Sequence, residues 1–123
     1  ALTNLSELSL DSNALTRVPD VVCALVALQR LNLDDNRIFD VPKAFAQLTR
    51  LERLRLCSNE LTEVPAHMGE LGALRSLYLN HNKITSVAPQ LVRCTSLQRL
   101  EVAHNRLQLL PDLRVLHAEL RLD

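Results

Sequence analysis

The residues whose chemistry could exceed packing are few: four histidines, three cysteines and two glycines in 123 residues. His81 and His104 stand 23 residues apart, at the same position of adjacent repeats, and should be near neighbours. Two histidines can begin a metal site, but zinc is normally held by three or four protein ligands. Asn80 and Ala103, beside them, do not complete a set, so the pair reads as solvated or hydrogen-bonded side chains near strand ends. His67 and His117 lie elsewhere. Cys57 follows Arg55 by two residues on one face, and a guanidinium can lower a thiol pKa. No histidine is placed to act as its base, so a catalytic thiol is not expected. Cys94 occupies a leucine slot and reads as a small hydrophobe. Gly69 and Gly72 form no phosphate loop. The reading is therefore non-catalytic, with no cofactor, metal or small-molecule substrate.

Composition narrows the partners. Fourteen basic and 14 acidic residues cancel. A nucleic-acid binder needs a basic excess to neutralise phosphates, and adhesion to an anionic bilayer needs one too. No apolar run reaches the roughly 18 residues of a membrane span. A protein partner remains. Cys23, Cys57 and Cys94 are odd in number and far apart, which suits reduced thiols and a cytoplasmic location.

What positions these residues is a periodic frame. Leu28-Gln-Arg-Leu31-Asn-Leu33-Asp-Asp-Asn36-Arg-Ile38 reads L-x-x-L-x-L-x-x-N-x-I, and the pattern restarts at Leu5, Leu51, Leu74 and Leu97. Its asparagines, Asn13, Asn36, Asn59, Asn82 and Asn105, advance in constant steps of 23. That period with that frame is the signature of leucine-rich repeats. The central x-L-x-L-x predicts a strand whose leucines point inward and whose intervening residues point outward. Successive strands pair in parallel, which requires a crossover of about a dozen or more residues. Val18-Pro19, Val41-Pro42 and Val64-Pro65 begin that return. The apolar spacing after them, as in Val22, Leu25 and Leu28, predicts a turn or two of α- or 3₁₀-helix. Each frame asparagine sits where the chain leaves its strand. An amide both donates and accepts, so the five predict a structural ladder rather than a binding site.

The expected fold is an α/β solenoid. It is a curved leucine-rich repeat array with a parallel sheet on the concave face and short helical, 3₁₀ or extended segments on the convex face. Residues 1–123 read as a single domain of five full repeats plus partial ends, a segment of a longer array. The fifth unit is read as 20 residues long, with a sixth frame starting at His117.

The full unit, L-x-x-L-x-L-x-x-N-x-L-x-x-V-P-x-x-φ-x-x-L-x-x-L (φ, an apolar residue), resembles the intracellular Ras-group leucine-rich repeat scaffolds over essentially the whole chain. That resemblance implies a docking module for a protein partner in cytoplasmic signalling. It transfers no catalytic or binding residue. A second reading is the recognition segment of a multidomain signalling enzyme, such as a kinase, GTPase or ubiquitin ligase, with its catalytic domain outside these residues.

The outward strand positions are the candidate contact surface: Arg30, Arg53, Arg55, Tyr78, Asp34, Arg99 and Glu101. Arg30, Arg53 and Arg55 predict a basic strip, and Asp11, Asp34 and Asp35 an acidic strip on the other edge. Such a split orients a partner of complementary charge. Tyr78 falls beside Arg55, and both types are enriched at interface hot spots.

Overall fold

The computed structural model describes residues 4–108. The elements in chain order are β1 (Glu7–Ser9), α1 (Asp20–Cys23), β2 (Arg30–Asn32), β3 (Arg53–Arg55), β4 (Glu63–Val64), β5 (Ser76–Tyr78), β6 (Ser86–Val87) and β7 (Arg99–Glu101). Three 3₁₀ turns, Lys43–Gln47, Ala66–Glu70 and Pro89–Arg93, take the place of α1 in later repeats. The reading that starts a sixth frame at His117 lies outside the described residues.

The main sheet has the order β1-β2-β3-β5-β7 and is parallel throughout. Its register is the period itself, since Leu8, Leu31, Leu54, Leu77 and Leu100 are successive partners. Each strand spans three residues rather than the five of the frame. Pairing nevertheless runs on beyond it. The Leu33 N–H donates to the Arg55 carbonyl at 2.8 Å and the Asp35 N–H to the Cys57 carbonyl at 3.0 Å.

The return path begins at the prolines. Pro19, Pro42 and Pro65 are extended, with ψ of 143°, 158° and 160°. Their fixed φ and missing N–H suit the residue just ahead of a helical turn. In the fourth repeat Ala88 is the extended residue, with ψ 137°, and Pro89 takes the first helical position, where proline costs no hydrogen bond. The flank between sheet and turns carries a small parallel pair, β4 with β6.

The core is aliphatic, as the low aromatic content requires. Leu31, Leu33, Ile38, Leu54, Leu56, Leu77 and Leu79 are buried together with Val22, Leu48, Leu71 and Leu91 from the outer side. Phe45 is wholly enclosed, and Cys94 fills its leucine slot. Burial of each large aliphatic side chain contributes about 1.5–3 kcal/mol. In the first repeat Leu5, Leu8, Leu10 and Leu15 are only partly buried, covered among the described residues by the second repeat alone.

The turn out of each strand has a feature the frame did not reveal. Ser12, Asp35, Ser58, His81 and His104, each just ahead of a frame asparagine, adopt φ between 55° and 59°. This left-handed residue swings the following amide inward, and the asparagine then closes the turn. Asn82 Nδ2 donates to the carbonyls of Leu56 at 2.8 Å and Leu79 at 3.0 Å, while its Oδ1 accepts the Leu61 N–H at 3.1 Å. Asn36 and Asn105 bond in the same way, and Asn59 donates to the Leu33 and Cys57 carbonyls and accepts the Ile38 N–H. Asn13, in the exposed first repeat, donates to the Leu10 carbonyl within its own turn.

Candidate functional site

The outward residues of the main sheet form one continuous polar surface. Arg30 pairs with Arg53 across β2 and β3, and Asn32 with Arg55. The next strands bring Ser76 and Tyr78 alongside, then Arg99 and Glu101. Neighbouring strands lie about 4.8 Å apart, so residues 21 to 23 apart in sequence become contacts.

That spacing joins the expected basic and acidic strips at one point, Arg55 with Asp34, while Asp11 and Asp35 form no ion pair among the described residues. Arg30 Nη1 reaches Glu7 Oε1 at 3.0 Å, Arg55 Nε reaches Asp34 Oδ2 at 2.7 Å, and Arg99 Nη1 reaches Glu101 Oε2 at 3.6 Å. The signs interlock because opposite charges sit at nearby positions of the sheet, within side-chain reach. Asp34 does more than face the solvent. It is only 9% exposed, and its Oδ1 accepts the Cys57 N–H at 2.8 Å. Two repeats further on, Asn80 Oδ1 accepts the Ala103 N–H at 2.8 Å, and its Nδ2 donates to Glu101 Oε1 at 3.1 Å. Asp34 and Asn80 thus brace one repeat to the next. The same frame position also holds Asp11, so residue type alone did not mark Asp34 and Asn80 as braces.

Arg55 is the most constrained cation of this face. Asp34 holds its Nε, and its guanidinium carbon lies 4.8 Å from the Tyr78 ring centroid. The hydrogen bond to Asp34 raises its pKa, so its charge is permanent at any ordinary pH. Arg53 differs: it is exposed, and among the described residues no carboxylate lies within ion-pair distance of it. Arg30, Arg53 and Arg55 line, with Glu7, Ser9 and Asn32, an open hollow of about 460 Å³ on the concave face.

The chemistry-bearing residues take other roles. The His81 and His104 rings are stacked, 4.3 Å between centroids and 7° from parallel. Ring nitrogens bind in the ring plane, so two stacked rings do not converge on one ion. Cys57 is half-buried, and its thiol pKa is raised, by burial first and by Asp34 next. The lowering expected from Arg55 is present but smaller, since that guanidinium is already neutralised by Asp34. The Cys94 Sγ donates to the Met68 carbonyl at 3.1 Å. His67 Nε2 lies 2.8 Å from the Val41 carbonyl and donates to it, bridging two repeats on the outer side.

The leucine rich repeat family profile matches residues 3–56 and 49–107. The chain belongs to the leucine-rich repeat family. Among solved structures it is similar to a leucine-rich repeat protein of Leptospira interrogans, at 31% identity and TM-score 0.72, over 87% of this chain and 33% of that one. It is similar to a chain of the Toll–Spatzle complex of Drosophila, at 30% identity and TM-score 0.77, over 82% of this chain and 14% of that one. It shares the fold of internalin C2 of Listeria monocytogenes, at 24% identity and TM-score 0.79, over 98% of this chain and 53% of that one. This chain therefore spans about a third of the length of the Leptospira protein. No curated protein sequence matches it.

Proposed function

We propose that this chain is a non-catalytic docking module, a scaffold element in cytoplasmic signalling, that binds a protein partner on its concave face. The observation that carries the reading is the held cluster of Asp34, Arg55 and Tyr78 beside Arg53, which has no ion-pair partner among the described residues. A side chain already fixed in place loses little conformational entropy when a partner arrives. Tyrosine and arginine are also the types that carry binding energy at interface centres. The family's architecture suits protein recognition, and one neighbour was solved in a complex of Toll with Spatzle. Three free thiols, Cys23, Cys57 and Cys94, fit a reducing compartment.

The test is an affinity capture from a lysate of the source cells. Wild type is compared with an Arg53→Glu, Arg55→Glu, Tyr78→Ala triple variant whose folding is verified by circular dichroism. A protein retained by wild type and lost by the variant supports concave docking. Identical recovery moves the site to the convex face. A second reading is a recognition segment within a longer signalling enzyme. The intact mass of the native protein separates the two.

A further inference from the structure

We infer that the hollow over β2 and β3 receives a short acidic segment of the partner, with its carboxylates on Arg53 and the terminal nitrogens of Arg55. This rests on the docking reading above and names the chemistry of what docks. The whole chain is electrically balanced, yet three guanidinium groups line this hollow against two carboxylates, Glu7 on Arg30 and Asp34 on Arg55. One positive charge, that of Arg53, is therefore left over locally.

The three arginines are not equivalent. Arg30 is paired with Glu7, but both side chains are more than half exposed, at 59% and 64%. Such a pair contributes about 0–1 kcal/mol, so an arriving carboxylate can share or replace it. Arg55 is engaged through Nε, while its two terminal nitrogens hydrogen-bond to no described residue. The Asp34 bond and the Tyr78 ring keep it in place, leaving the fork of the guanidinium for a second carboxylate, the geometry arginine suits. Arg53 carries no compensating charge among the described residues. The hollow is open on the sheet face and large enough for side chains, which fits a segment laid across the strands.

The experiment uses a fluorescein-labelled, acetylated hexaglutamate peptide and the full chain, read by fluorescence anisotropy at about 0.05 M and about 0.15 M salt. Two single variants are compared, Arg53→Glu inside the hollow and Arg75→Glu on the exposed strand lead of the next repeat. Both change net charge by the same amount. The expected result is saturable binding to wild type that weakens with salt. It should fall about tenfold in Arg53→Glu and far less in Arg75→Glu. Equal losses in the two variants would mean bulk attraction and overturn the assignment. So would equal binding of a hexaglutamine peptide, or tenfold tighter binding of a phosphoserine peptide of matched charge. If hexaglutamate does not bind while the triple variant still loses its captured protein, the acidic-segment assignment falls and concave docking stands. If capture is also unchanged, both fall.

Discussion

At the residue scale the frame asparagines and the buried thiol make the sharpest predictions. Asn59 donates to the carbonyls of Leu33 and Cys57 and accepts from the Ile38 N–H. Its replacement in Asn59→Ala leaves buried backbone groups unpaired, each at about 1–3 kcal/mol. We expect a loss of about 2–4 kcal/mol in urea unfolding, and under about 1 kcal/mol for Asn13→Ala, whose exposed turn water can satisfy. Similar losses at both sites would refute the ladder as a buried network. Burial raises the Cys94 thiol pKa from 9.0 to about 11. The unfolded chain thus releases this proton at lower pH than the folded one. The contribution to stability is full below pH 9 and declines as pH rises towards 11. The Cys94→Val protein should lack this part of the alkaline decline, which thermal melts between those pH values would reveal. Asp34 is the residue whose part was least legible: as one more outward acid in a pattern of alternation, it gave no sign of bracing Cys57 and clamping Arg55.

At the element scale, the return path depends on how closely successive turns approach. A Cβ at Gly69 would fall on the Gln90 carbonyl oxygen of the next 3₁₀ turn, whereas one at Gly72 would meet nothing within 4 Å. Gly69→Ala should therefore cost about 1–3 kcal/mol through overpacking, and Gly72→Ala should be neutral or slightly stabilising. Differential scanning calorimetry of the two variants decides this, and equal melting temperatures would contradict the close stacking. The element types themselves were readable. Proline after valine announced the end of the extended segment, and apolar spacing of three announced a turn or two of helix. Whether that turn is α, as in Asp20–Cys23, or 3₁₀, as in Lys43–Gln47, was not, because one turn offers too few hydrogen bonds for side-chain spacing to distinguish them.

At the scale of the whole molecule, each repeat is stabilised by the neighbours on either side. The Leu33 and Leu56 amides donate across the sheet to Arg55 and Tyr78, between repeats covered on both sides. The Leu10 amide donates to Asn32 from a repeat whose leucines are only partly buried. Native-state hydrogen exchange on the 123-residue chain should be slowest at Leu33 and Leu56 and clearly faster at Leu10. Uniform protection would indicate a single cooperative unit instead of graded, neighbour-dependent stability.

The sequence by itself determined the repeat, the parallel sheet and its register, the inward leucines and the structural asparagines. Each follows from a period of 23 residues imposed on the two-residue alternation of a strand. Only the tertiary structure decided which outward side chains meet. Glu7 with Arg30, Asp34 with Arg55 and Arg55 with Tyr78 are contacts between repeats, formed sideways across strands and set by rotamers that no pattern along the chain encodes. A column of arginines and aspartates therefore read as two strips of opposite sign. Coulomb attraction across adjacent strands drew Arg30 to Glu7 and Arg55 to Asp34, and left Arg53 and Asp11 without an ion pair among the described residues.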